Sequence, residues 1–435
     1  MNPIVRTRRE FLRTTVLGAA LAGTAPAFLT RTWAVLDAQA RDAAIQATTG
    51  RDGPILVVLQ MAGGNDGLNT VVPSQNDHYR RARRRLGLPD KDLLKLGGDL
   101  SWHPALQGFR KLAEAGHLSV VQGVGYPNPN RSHFRSTEIW QTAADSNRVV
   151  REGWIGRYFD HECDGCDPTV GVSIGRQMPQ AFTARVPTGI TLAGPARNRG
   201  TGSPRAGGKM GMEGMVEDSG ASEAAGGTID ALSGGSATSG SVLDYLDRTA
   251  MDAQVSSAKV REILARAETG AAYPGNGLAQ SLKTVARLIA GGLLTRIYYL
   301  SQGGYDTHRD QLGTHARLLG ELGDSVNAFI EDLKAQGQLE RVLLMTFSEF
   351  GRRVGENASG GTDHGAAGPM FLAGAKLPTL LHGRYPSLAP GDLLNGDLRF
   401  EVDFRRVYAS VLENWLKVPS QKILGGRFQP MAGLV

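Results

Sequence analysis

Three segments concentrate the side chains that could do chemistry. Gly63-Gly-Asn-Asp66-Gly closes an apolar run, Gly303-Gly-Tyr-Asp306-Thr-His308 closes a second, and the stretch from Arg341 to Gly365 carries Glu349, Asp363 and His364 in a polar, glycine-bearing loop. Asp306 and His308 stand two apart, so in extended backbone they project to one side and can ligate one ion. Asp310 and His315 follow close by, with His315 one to two turns into a helix that starts there. Carboxylates and imidazoles together suit a divalent metal such as zinc or manganese, iron remaining open, and the lack of thiolate argues against a structural zinc site. Asp66, Asp306, His308, Glu349, Asp363 and His364 are therefore the candidate metal ligands. Taken singly, each carboxylate has a plainer role: Asp66 suits an Asx turn, and the others suit caps or loop hydrogen bonds.

Ester hydrolysis also needs a nucleophile. In Asn128-Pro-Asn-Arg-Ser-His-Phe-Arg-Ser-Thr-Glu138 a Pro/Asn-rich loop leads into a helix whose first turn holds Ser132 and His133. A hydroxyl there sits where free amides and the helix dipole attract an oxyanion, and a nearby cation lowers its pKa. Arg131 and Arg135 could hold a phosphoryl or sulfuryl group. Ser132, His133, Arg131 and Arg135 are the catalytic candidates; equally, Ser132 could serve only as the helix cap.

The elements that must position these groups alternate. Pro54 to Gln60 is continuously apolar but for its last residue, the pattern of a strand buried on both faces of a parallel sheet. Helix-like Ala105 to Ala115 precedes a strand from Leu118 to Gln122, Ser281 to Gly292 precedes Leu294 to Leu300, and Leu318 to Leu333 precedes Val342 to Phe347. This predicts an α/β fold of three layers, a mainly parallel central sheet with helices on both faces, with ligands beyond the carboxyl ends of the strands. Helices are expected from Val242 to about Ala267 and from Asp403 to Leu416. Residues 197–241 are rich in Gly, Ser, Ala and Thr and read as a mobile insertion in a single domain spanning 51–435.

A chain of 435 residues with 41% hydrophobic content can bury a large core. Of its formal charge of +6, half lies in residues 1–40, where five arginines face Glu10 and Asp37. The remainder excludes a phosphate-tracking surface, so no nucleic-acid partner is expected. The run Arg80-Arg-Ala-Arg-Arg-Arg85 reads as a solvated helix face rather than a polyanion contact. Residues 1–40 read as an export leader: Thr7-Arg8-Arg9-Glu10-Phe11-Leu12 gives a twin-arginine pattern, and the apolar run from Thr15 to Leu29 is too short to span a bilayer comfortably. The twin-arginine translocase is thus an expected partner, the destination periplasmic or extracellular, and no transmembrane anchor is expected. Cys163 and Cys166 suit a small-loop disulfide in such a compartment.

Together the leader, MAGGNDGLNTVVP, NRSHFRSTEIWQTA, GGYDTH, TFSEFGRR and GTDHG resemble the exported bacterial family known as domain of unknown function 1501. That family resembles a distant branch of the alkaline phosphatase and sulfatase superfamily, whose members act on phosphate and sulfate esters with one or two divalent metals. The resemblance implies an alkaline phosphatase-like fold, Asp66 as a metal ligand after the first strand, Ser132 as a metal-bound nucleophile, and Asp306 with His308 as a ligand pair. It implies for Asp363-His364 the superfamily's Asp-His signature, or else for Ser348-Glu349 that position and for His364 the final ligand role. No cysteine stands in the nucleophile loop, so formylglycine is not implied and phosphate is preferred over sulfate. The expected function is an exported metal-dependent hydrolase of small anionic esters. The alternative is a non-catalytic envelope-associated binding or assembly protein for a glycan or lipid.

Overall fold

The computed structural model describes residues 53–163, 166–186, 188–194 and 258–435. The expected leader and the glycine-rich stretch 197–241 lie outside them. Of the helix expected from Val242, residues 258–266 are described and helical.

Twelve strands are described: β1 (Ile55–Ala62), β2 (Val71–Pro73), β3 (Leu94–Gly97), β4 (Leu100–Trp102), β5 (Leu118–Gly125), β6 (Gly171–Ile174), β7 (Ile190–Leu192), β8 (Ile297–Gly303), β9 (Val342–Phe347), β10 (Gly368–Ala373), β11 (Leu381–His382) and β12 (Val402–Asp403). Nine of them form one sheet in the order β11-β5-β10-β9-β1-β8-β6-β7, with β12 also on β5. β1 lies between β8 and β9 and is parallel to both. β10 is antiparallel to β9 and to β5, so β5 runs in the same direction as β1. The remaining three strands make a small separate sheet.

The expected layers are present. Side chains of β1 alternate between two cores, as a strand buried on both faces requires. Ile55, Val57, Leu59 and Met61 pack with the helices α1 (Gln107–Glu114), α4 (Gly277–Ala290) and α5 (Gln311–Ala335). Leu56 and Val58 pack with α2 (His133–Thr142), α3 (Trp154–Glu162) and α6 (Phe404–Ser410) on the other side. The helix expected to run from Asp403 to Leu416 widens to a π turn over Val411–Trp415, where Leu416 N donates to Val411 O at 2.9 Å. Cys163 and Cys166 are joined as a disulfide. No helix among the described residues is long and apolar enough to cross a membrane.

This topology brings the polar loops to one rim. β1, β8 and β9 are adjacent and parallel, with Ala62 beside Gly303 and Gln60 beside Phe347, so the loops that follow leave side by side. β5 ends at the same edge, delivering the loop before α2, and the antiparallel β10 begins there, delivering Asp363 and His364.

The basic run departs from expectation. Arg83 is fully buried against Asp66, and Arg85 bonds Glu356 and the carbonyls of Asn357 and Ala358. These two arginines tie loops together, while Arg81, Arg84 and Arg85 keep the exposure expected of a solvated face.

Candidate metal centre

His133, Asp306 and His364 come together, each offering one ligand atom within 4.8 Å of the others. Asp306 Oδ2 lies 3.4 Å from His133 Nε2, and Asp306 Oδ1 lies 3.1 Å from His364 Nε2. His308 adjoins them, its Nε2 at 3.1 Å from Asp306 Oδ1 and 2.9 Å from His364 Nε2.

The other nitrogen of each ring is held by an acceptor. His133 Nδ1 is 2.8 Å from Glu349 Oε1, His308 Nδ1 is 3.2 Å from Asp363 Oδ1, and His364 Nδ1 is 2.8 Å from the carbonyl of Arg131. Carboxylates and carbonyls only accept, so each Nδ1 carries the proton and each Nε2 presents a lone pair. This is the arrangement by which outer groups orient metal-binding histidines.

Glu349 is buried and fixed from two sides. Its Oε1 also accepts from Gly63 N at 2.8 Å, and its own carbonyl accepts from Ser136 Oγ and, at 2.8 Å, from Trp140 Nε1. His133, Ser136 and Trp140 are three and four apart, one stripe of α2 facing the Glu349 loop. Arg352 supplies the other fastening. Fully buried, it donates to the carbonyls of Gly64 at 2.7 Å, Thr362 at 2.9 Å and Tyr305 at 2.9 Å, to that of Gly63, and to Asp306 Oδ1 at 2.8 Å. Partial burial pushes the Asp306 carboxyl up, but the bond from the Arg352 guanidinium outweighs it, and the carboxyl is held at about 2. Burial pulls the His364 imidazole below its ordinary value, and the hydrogen bond from Asn357 does the same to the Asp363 carboxyl.

The donor set fits a divalent cation. Nitrogen and oxygen ligands about 2.0–2.2 Å from zinc in a tetrahedron stand roughly 3.3 Å apart, close to the separations here. His133 Nε2 and Glu349 Oε2 are buried without a hydrogen-bond partner. The Nε2 lone pairs of His308 and His364 face each other at 2.9 Å, which is repulsive unless a cation or a shared proton lies there. Asp306, Glu349 and Asp363 each pair with a histidine of the cluster, and Asp306 also bonds the Arg352 guanidinium.

Several expected residues are elsewhere. Asp66 turns inward: Arg83 Nη1 and Nη2 donate to its two oxygens at 2.6 and 3.1 Å, and Gln311 Nε2 adds a third bond at 2.5 Å. Burial pushes its carboxyl up, but Arg83 prevails and leaves it lowered. With both oxygens occupied by a buried pair, it is not brought to the cluster. His315 is likewise buried away, bonding Asn65 Oδ1 at 3.0 Å. Arg135 reaches Glu138 and the carbonyls of Ser146 and Arg148 instead of the site, and the guanidinium of Arg131 lies on Asp397. Ser132 is at the N-cap of α2, exposed, and its side chain makes no capping bond, so the plain capping role does not apply. His133, expected among the catalytic groups, joins the ligand cluster. Glu349 and Asp363 stand behind histidines. Arg352 and Asn357, whose Nδ2 donates to His308 O at 2.8 Å, were not singled out from the sequence; only the position of Arg352 after a buried strand in TFSEFGRR hinted at a role.

Fold and site together define an α/β protein with a histidine- and carboxylate-lined candidate metal centre at the carboxyl edge of a mainly parallel sheet. Residues 212–423 match the model of the family described as protein of unknown function DUF1501. No curated protein matches the sequence. Among solved structures, the chain is similar to the lipoteichoic acid synthase LtaP from Listeria monocytogenes, with 8% identity and a TM-score of 0.37 over 88% of this chain and 76% of that one. It is similar to the C-terminal periplasmic domain of EcEptC from Escherichia coli in complex with Zn, with 9% identity and a TM-score of 0.36 over 74% and 73%. PsFucS1 sulfatase from Pseudoalteromonas sp. gives 12% identity and a TM-score of 0.35 over 92% and 74%.

Proposed function

We propose that the protein is an exported metal-dependent hydrolase of phosphate esters, with sulfate esters the less favoured substrates. The observation that carries this reading is the convergence on Asp306 of imidazole Nε2 atoms whose Nδ1 protons are all committed to acceptors. His133, Asp306 and His364 would hold the ion, with His308 alongside. When bound, a divalent ion supplies Lewis-acid polarisation of an ester oxygen and lowers the pKa of a nearby hydroxyl or water.

The chain's own groups do the rest. Ser132 keeps its hydroxyl free of capping duty at the start of a ten-residue helix whose free amides favour a negative oxygen. Attack of Ser132 Oγ on phosphorus forms one O–P bond as the ester O–P bond breaks, and the proton given up by the serine hydroxyl passes to the departing alkoxide, which leaves as the alcohol. Water then cleaves the serine ester, returning the hydroxyl and releasing phosphate. Asp363 holds the proton of His308 on Nδ1, which leaves Nε2 as the atom able to exchange one.

A second reading, a non-catalytic envelope-associated binding protein, is favoured by one observation: the guanidinium groups of Arg131 and Arg135 are both engaged with carboxylates. Metal analysis of protein folded in the cell, followed by turnover of generic phosphate mono- and diesters, separates the two. The hydrolase reading expects stoichiometric metal, its loss in Asp306→Ala, and metal without turnover in Ser132→Ala. Metal-free wild-type protein, or metal without turnover of any ester, favours the binding protein.

A further inference from the structure

Asp397 is almost fully enclosed, its side chain 1% exposed, yet two guanidinium groups share it. Arg131 donates through Nε at 2.9 Å and also through Nη2, both to Oδ2; Arg353 Nε stands 3.5 Å from Oδ1, an oxygen that lacks a hydrogen-bond partner. Arg353 is further steadied by the carbonyl of Asn395, and Gly396 leaves room for it, since a Cβ there would meet Nη2 at 2.6 Å. One carboxylate thus faces two cations, whose side chains are 43% and 37% exposed, and Asp363 is a further acid whose charge Arg353 feels.

Both arginines are tied to the ligand cluster. The carbonyl of Arg131 holds His364 Nδ1, and Ser132 and His133 follow it directly. Arg353 follows Arg352, which binds Asp306, and its amide donates to the carbonyl of Asp363 at 3.0 Å. A half-exposed pair of guanidinium forks that share a single buried carboxylate suits an oxyanion, which such forks bind by paired N–H bonds.

We propose that Arg131 and Arg353, spaced by the carboxylate of Asp397, form an oxyanion subsite beside the metal centre. If the proposed hydrolase function holds, on which this part rests, the substrate is an ester whose alcohol portion carries its own phosphate, sulfate or carboxylate. Arg353 is then a specificity residue, and Asp397 a positioning residue that keeps the two forks apart.

Calorimetric titration of the full chain with inorganic pyrophosphate, before and after chelator treatment, tests this. Arg353→Gln is expected to weaken binding about tenfold in both states, and Asp397→Asn, which removes the internal competitor at constant size, to tighten it several-fold. Thermal melts accompany both, and if Asp397→Asn does not fold, Arg353→Gln alone decides. Unchanged affinity in Arg353→Gln, or binding that vanishes with the metal, overturns the subsite and leaves the arginines as loop fasteners. Arginine-dependent binding in a protein that hydrolyses no ester retains the subsite and defeats the hydrolase reading. With turnover, Arg353→Gln should raise KM for esters bearing a second anion and leave KM for neutral-alcohol esters unchanged; equal effects on both would overturn the specificity role.

Discussion

His133 Nδ1 stands 2.8 Å from Glu349 Oε1, across 216 positions of sequence, while its Nε2 turns to Asp306. A helix that begins after one strand is thereby oriented by a carboxylate that follows another. Glu349 needs no contact with an ion to govern its binding. Glu349→Gln preserves the volume and removes the charge that fixes the ring, and loss of such an orienting partner typically costs 10–100-fold in metal affinity. Competition against a chelating dye should show zinc affinity reduced by about that factor; affinity equal to wild type would remove Glu349 from the assembly.

Asp66 should behave differently. Its pairing with Arg83 is wholly buried, and Asp66→Ala leaves that guanidinium with an uncompensated charge. The expected cost is about 3–5 kcal/mol, read by urea unfolding. A variant of unchanged stability that has lost its metal would return Asp66 to the ligand list.

Gly63 adopts φ +119°, and a Cβ there would sit 2.4 Å from the amide nitrogen of Asp306. Overpacking of this kind costs roughly 1–3 kcal/mol. Gly63→Ala should therefore lower the melting temperature and weaken metal binding together, because the displaced residue is a ligand. Normal melting with normal metal content would contradict the close approach.

The acid response of stability should trace in part to His315. It is fully buried, and burial pulls its imidazole down to about 3. Between that value and the ordinary value near 6.5 the unfolded chain binds a proton that the folded chain refuses, so stability is complete above this window and falls as the pH drops through it. At pH 5 the loss is about 2 kcal/mol. Urea unfolding at pH 7.5 and pH 5 should show His315→Gln losing less than wild type by about this amount; parallel losses would exclude His315 as the source.

What was legible in the sequence follows from physics of short range. Continuous apolar runs such as that from Ile55 reveal strands buried on both faces, and glycine-flanked Asp306, His308 and His364 reveal loops at their ends. Boundaries were less legible: β8 begins at Ile297 rather than Leu294, because Thr295 and Arg296 are spent on loop hydrogen bonds to Thr169, Pro54 and Val170. Asp66 was misjudged because a strand-end aspartate does not declare which way it points, and Arg83 lies in a run that looked solvated. His133 was assigned to catalysis because only the assembled α2 turns it toward Asp306. Arg352, Arg353 and Asp397 depend wholly on how separate loops meet, for which spacing along the chain carries no signal.

Arg352 links Gly63, Gly64, Tyr305, Asp306 and Thr362 through a single buried side chain. The rim is consequently rigid before any cation arrives, and its capture demands no further loss of backbone freedom. Entry should be quick and nearly free of refolding, and the same guanidinium couples how tightly an ion is held to how firmly the whole rim resists opening.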